Sequence, residues 1–244
     1  MRIDCQLVPG AVFKEETDSV YVIIDVLRAT STIVTAFMNG CVSVVPVAEV
    51  EDAFRMARGP LDGALVGGER GGVAVEGFDL GNSPRDYTST RVCGKTIVIT
   101  TTNGSRAFQS IPAGRVGIVA SFLNMGAVAR HCLRRNKDIM FIPSGRKGAF
   151  SLEDTVCAGG ITEAIRKQRK DNVHMTDAAF ASEVLFGRFR ANLPEMLRSS
   201  IPGRHLREIG LGSDLEYCAQ VDVTLVTPTY QGGRIELFPE HRSF

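Results

Sequence analysis

Short apolar runs that lack regular polar alternation recur along the chain, with helix-like segments between them. The runs are Tyr21-Val22-Ile23-Ile24, Val42-Ser43-Val44-Val45, Ala64-Leu65-Val66, Thr96-Ile97-Val98-Ile99, Val116-Gly117-Ile118-Val119 and Ile139-Met140-Phe141-Ile142. Strands of this composition are covered on both faces, because a strand with one wet face alternates apolar and polar residues. Residues 31–39 put Ile33, Val34, Ala36 and Phe37 on one side and stop at Gly40, and residues 49–58 stop at Gly59. Glycine past the last turn is a common helix terminator. Residues 124–135 and 153–169 follow the same style. This β-α-β-α rhythm predicts an α/β fold, a three-layer α/β/α sandwich with a largely parallel or mixed sheet. Residues 174–209 read as helical with breaks around Pro194 and Pro202, and Tyr217 to Phe238 has strand character with a turn at Gly232-Gly233.

The 244 residues suffice for one α/β domain spanning 1–244, or two closely packed lobes. A net charge of +1 leaves no basic footprint for nucleic acid, so none is expected as a partner. Six cysteines lie scattered with no C-x-x-C pair and are expected to be buried free thiols. The four histidines are far apart and offer no zinc spacing. The N-terminus lacks a signal-peptide core, and no run reaches the ~18 apolar residues of a membrane span. The expectation is a cytoplasmic protein with no membrane partner.

Where the chemistry should lie follows from the fold, since open parallel sheets bind ligands beyond the carboxyl ends of their strands. Directly after the first run stands Asp25-Val26-Leu27-Arg28-Ala29-Thr30-Ser31-Thr32. An acid at a strand end, with an arginine and hydroxyls at a helix start, fits a metal-plus-phosphate corner. The plainer explanation is an Asp25–Arg28 pair and a Ser31 cap. The pattern returns at Thr100-Thr101-Thr102-Asn103-Gly104-Ser105-Arg106, where an Asn-Gly turn with a serine cap is the competing explanation. Ser121 and Asn124 stand at a further strand end. Ser144-Gly145-Arg146-Lys147 precedes Glu153 and Asp154, acids that a first helical turn favours in any case. The glycine-rich stretch from Gly67 to Gly81 adds Glu69 and Arg70, a candidate cation ligand beside an arginine or else an exposed ion pair.

Several strand-end loops thus combine Asp or Glu with Arg or hydroxyls. That donor set suits Mg²⁺, which takes oxygen ligands and keeps waters, with arginines neutralising a phosphoester. Nucleotide motifs fail. Gly94-Lys95-Thr96 has Ser89 where a P-loop needs its first glycine and is followed by a strand, and no G-x-G-x-x-G is present.

From residue 20 to about 160 these strings, together with Gly68-Glu69-Arg70 and Gly77-Phe78-Asp79-Leu80-Gly81-Asn82-Ser83-Pro84, make the chain resemble the 2-phosphosulfolactate phosphatase family of coenzyme M biosynthesis. Residues 170–244 carry no matching string. The resemblance implies Mg²⁺-dependent hydrolysis of 2-phospho-3-sulfolactate, or a related phosphorylated 2-hydroxy acid, to 3-sulfolactate and phosphate. The candidate metal ligands are Asp25, Glu69, Glu153 and Asp154. Asp25, Arg28, Asn103 and Arg106 are the candidate catalytic residues. Substrate binding is assigned to Arg28, Thr30, Ser31, Arg70, Asn103, Gly104, Ser105, Arg106, Ser121, Asn124, Ser144 and Arg146. The expected partner is a small, multiply anionic phosphoester, and the expected assembly a homodimer.

Two mechanisms fit the residues: attack by activated water, which is preferred, or attack by Asp25 to form an aspartyl-phosphate. Haloacid-dehalogenase-type phosphatases carry a second Asp two residues after the first, and here Leu27 stands in that place. The rival from another class is a non-catalytic protein that binds a small phosphorylated anion. A kinase or phosphotransferase is disfavoured by the missing nucleotide motif.

Overall fold

The computed structural model describes residues 1–8, 18–169 and 173–237, with the side chain of Arg106 outside the description. Strand β1 (Arg2–Cys5) is followed by β2 (Val20–Ile24), helix α1 (Ala29–Met38), β3 (Ser43–Pro46), α2 (Val50–Ala57), β4 (Leu65–Arg70) and the short β5 (Val73–Ala74). Next come α3 (Ser89–Val92), β6 (Thr96–Thr100), α4 (Gly104–Gln109), β7 (Gly117–Ala120), α5 (Met125–Arg135), β8 (Ile139–Pro143) and α6 (Leu152–Gln168). The C-terminal third holds β9 (His174–Met175), α7 (Asp177–Phe189), α8 (Leu193–Ser199), α9 (Ile201–Glu208), α10 (Ser213–Cys218), β10 (Thr229–Gln231) and β11 (Arg234–Glu236).

All these strands join one 11-stranded sheet in the order β5-β4-β6-β3-β11-β10-β7-β2-β8-β1-β9. Two parallel blocks, β4-β6-β3 and β7-β2-β8-β1-β9, are joined by the antiparallel hairpin β10–β11. The sheet is therefore mixed.

β2 shows why the layers form. All five of its residues are buried. Val20, Val22 and Ile24 face one core with Val128 of α5, Val156 and Ile161 of α6, and Phe186 of α7. Tyr21 and Ile23 face the other, with Ile33, Val34 and Phe37 of α1. Successive side chains of a strand point to opposite faces, so a run without polar residues must be covered twice. A smaller core of Ala53, Val66 and Val98 lies under α2. Helices α8, α9 and α10 extend the first core through Leu197, Leu206 and Leu215.

The fold matches the expected α/β sandwich, and the departures have local causes. β1 and β9 were not anticipated, since Arg2 and Asp4, like His174, interrupt any apolar run. Pro194 and Pro202 sit in the first turns of α8 and α9, where a missing N–H costs nothing. Strand character in the tail is confined to β10 and β11, and residues 217–218 still belong to α10. Cys93 is exposed; the other five cysteines are buried free thiols. No helix among the described residues is long and apolar enough to cross a membrane.

Candidate active site

Loops after β2, β4, β6 and β8 meet α9 around a cavity of about 270 Å³. The cavity draws on the carboxyl ends of strands from both parallel blocks, so neither block holds the site alone.

Three acids crowd one part of it. Asp25 follows β2 immediately, and its Oδ1 accepts a hydrogen bond from the Ala29 N–H at 3.2 Å. Asp154 lies in the first turn of α6. Its Oδ1 accepts from the Val26 N–H at 2.8 Å and its Oδ2 from the Ser144 hydroxyl at 3.3 Å. Ser144 also hydrogen-bonds Asp25 and so stands between the two carboxyls. Glu153 Oε1 accepts from the Ser151 hydroxyl at 3.0 Å, while Oε2 is buried without a hydrogen-bond partner among the described residues. All three side chains are buried.

Burial, and secondarily the charge of Asp154, raises the Asp25 carboxyl to about 7. Glu153 is also raised to about 7 by burial, with repulsion from Asp25 adding and Arg146 opposing. Asp154 reaches about 7 through burial and the nearby Glu153. Three acids that share one desolvated space cannot all ionise cheaply unless a cation joins them.

Glu69 is held differently. Its Oε1 accepts from the Thr102 N–H at 2.8 Å, and its Oε2 from the Gly72 N–H at 2.6 Å and the Thr102 hydroxyl at 3.2 Å. It thereby ties the β4–β5 turn to the loop after β6 while lining the cavity.

Among the cations, Arg28 and Arg146 line the cavity, and Lys147 joins them. The Arg28 guanidinium is 2.7 Å from Asp214 Oδ2 and donates to the Gly72 carbonyl at 2.5 Å. Arg146 and Lys147 are exposed on the loop after β8. Asn103 also lines the cavity, its Oδ1 accepting from the Lys147 N–H at 3.1 Å. Arg106 belongs to α4, and its side chain lies outside the described residues.

The remaining sequence candidates do not line the cavity and are engaged in building its walls. Thr30 Oγ1 donates to the Asp25 carbonyl and accepts from the Asp25 N–H, and the Ser31 hydroxyl donates to the Val26 carbonyl. Arg70 donates to the carbonyls of Glu69 and Ala48 and to the Thr100 hydroxyl. Gly104 packs so tightly on Ala29 and Asp25 that a Cβ there would collide with both. Ser105 accepts from the Thr101 N–H. Asn124 accepts from the Ser121 N–H and donates to the carbonyls of Val119 and Val226, closing a capping box.

Several lining residues were not singled out from sequence. Asn82 and Lys147 stand inside strings that were recognised, although neither was picked individually. Pro202, His205 and Leu206 come from α9, where no motif pointed to the site. His205 Nε2 lies 2.9 Å from the Gly71 carbonyl and fastens α9 to the β4–β5 turn.

The donor set fits a hard cation. Asp25, Asp154 and Glu153 offer only oxygens, and the unpartnered Glu153 Oε2 marks unused ligating capacity. Among the described residues no group of three or more His, Cys, Asp or Glu is arranged to hold a metal ion.

Comparison with known proteins places the chain in a family. The family model described as 2-phosphosulpholactate phosphatase matches residues 7–233, well into the third of the chain where no string was recognised. A protein of Carboxydothermus hydrogenoformans named a probable 2-phosphosulfolactate phosphatase is 40% identical over 238 residues, covering 96% of both chains. One of the same name from Clostridium acetobutylicum is 36% identical over 236 residues, 96% of this chain and 100% of its own. Another from Symbiobacterium thermophilum is 40% identical over 225 residues, 92% of this chain and 96% of its own. With an acid cluster at its strand ends and similarity running nearly end to end, the chain belongs to the 2-phosphosulfolactate phosphatase family.

Proposed function

We propose that the protein is a Mg²⁺-dependent phosphatase that hydrolyses 2-phospho-3-sulfolactate, or a related phosphorylated 2-hydroxy acid, to 3-sulfolactate and phosphate. The observation that carries this reading is the trio Asp25, Asp154 and Glu153, buried together beside Arg28 and Arg146. Without a cation such a trio repels any anion, so a site built only to bind one would not contain it. The names of the relatives supply the substrate class. The same reading assigns the reaction to the cytoplasm and to coenzyme M assembly.

Asp25, Asp154 and Glu153 are the residues that would hold Mg²⁺. When bound there, the ion supplies positive charge against the phosphoryl oxygens and the charge that develops during transfer. Arg146 and Lys147, on the exposed loop after β8, neutralise the phosphate from the open side. Asp25, at the end of β2 on the cavity wall, is suited to take a proton from the attacking water. Water then adds to phosphorus, the bond from phosphorus to the C2 oxygen breaks, and the proton that Asp25 took from water passes to that oxygen. Leu27, standing where phosphatases with a nucleophilic aspartate carry a second Asp, disfavours Asp25 as a nucleophile.

Two measurements test this. Purified protein should release phosphate from 2-phospho-3-sulfolactate and much less from p-nitrophenyl phosphate; no release from any phosphorylated 2-hydroxy acid would exclude the reading. Rapid quench with ³²P-labelled substrate should trap no acyl-phosphate, and an adduct lost in Asp25→Asn would replace water attack with covalent catalysis.

A further inference from the structure

Arg28 and Asp214 form a salt bridge whose two side chains are only 3% and 2% exposed. Asp214 belongs to α10, 186 residues away in sequence, and its second oxygen accepts from the Ser83 hydroxyl at 2.7 Å. Arg28 reaches the cavity, whereas Asp214 does not line it. Among the described residues no ion pair joins Arg28 to Asp25, Glu153 or Asp154. The guanidinium is instead tied down by α10 on one side and by the Gly72 carbonyl on the other. Asn82, next to Ser83, comes into the cavity on the same turn.

This geometry separates two duties. The phosphate needs a cation and exposed positive charges, and those lie with the acid trio, Arg146 and Lys147. A guanidinium already compensated by a buried carboxylate adds little net charge. It offers instead a fixed planar set of N–H donors, the arrangement that recognises a carboxylate or sulfonate by shape. We propose that Asp214 is a positioning residue that holds Arg28, with help from Ser83, as the anchor for the acid group of the substrate that is not transferred. The inference rests on the phosphatase reading for its substrate class, but it concerns binding and can be tested apart from turnover.

The test is the affinity for 3-sulfolactate, which carries the acid groups without the phosphate, measured by titration calorimetry on the full chain. Asp214→Asn keeps the shape and removes the charge, and it should weaken binding about tenfold, less than the loss of a direct ion-pair partner because Asp214 acts through Arg28. Asp214→Glu should restore most of the affinity. In an Arg28→Lys background, Asp214→Asn should add nothing further, because it acts only through Arg28. Ser83→Ala, which leaves the ion pair in place, should shift affinity in the same direction by about twofold, as for one neutral hydrogen bond. Thus the inference stays testable if Asp214→Asn fails to fold.

On 2-phospho-3-sulfolactate, KM should rise more than kcat falls in Asp214→Asn. Unchanged sulfolactate affinity in folded Asp214→Asn or Ser83→Ala, fully additive losses in the double variant, or no binding by the wild-type protein would overturn the inference. Normal binding effects in a protein that releases no phosphate would overturn the catalytic reading alone.

Discussion

Asp25 sits where strand chemistry and charge conflict. The backbone of β2 delivers it into a desolvated corner, and Asp154 and Glu153 arrive there from α6 with the same charge. Replacing Asp25 by Asn should therefore have two opposite effects. Phosphate release should fall by about a hundredfold or more, the scale for loss of a general base. The metal-free protein should melt higher at pH 8, because one repelling buried charge is gone. Calorimetry on the variant beside the wild type checks this, and a lower melting temperature together with full activity would contradict both roles. The acid trio was legible residue by residue, since each acid stands at a strand end or a helix start. Asp214 was not: one acid in a short amphipathic helix looks like an ordinary solvent-facing residue, and only the fold brings it to Arg28.

At the scale of elements, strands without polar alternation were readable, as β2, β6 and β8 illustrate with their continuous apolar runs. Short or polar elements were hidden. β1 alternates Arg2, Ile3, Asp4 and Cys5, and β10 and β11 have three residues each, too few for any period to emerge. Their pairing with β7 and β3 nonetheless joins the two parallel blocks, and the cavity depends on that junction. The α6–α7 packing also rests on a feature without a sequence signal. A Cβ at Gly159 would run into the Ser182 carbonyl of α7, so the helices can touch only because that side chain is absent. Gly159→Ala should cost about 3 kcal/mol, at the upper range for overpacking a dense core, despite the higher helix propensity of alanine. Since α6 carries Glu153 and Asp154, activity should fall as well. Chemical denaturation reads the loss, and a variant as stable as wild type would show that the two helices have room to part.

For the whole molecule, the acid trio should tie stability to pH and, on the proposed function, to metal. Each carboxyl has a folded-state pKa near 7, above the usual value near 4, because burial opposes ionisation. A raised pKa means that the folded chain holds its protons more tightly than the unfolded chain. The resulting stabilisation is complete below about pH 4 and is lost as pH rises through about 7. From this trio alone, the metal-free melting temperature should fall by about 5 °C or more between pH 5 and pH 8. Magnesium should reverse that fall, raising the melting temperature at pH 8 and hardly at pH 5, where protons compete for the same oxygens. A metal effect equal at both pH values would place the ion away from these acids. The central claim, that the buried trio is a Mg²⁺-dependent phosphatase site, is tested most directly by phosphate release from 2-phospho-3-sulfolactate in EDTA-treated protein titrated with Mg²⁺. The account predicts no release without metal, saturable release as Mg²⁺ is added, and loss of that response in Asp25→Asn; release that persists in EDTA, or that Asp25→Asn leaves intact, would contradict it.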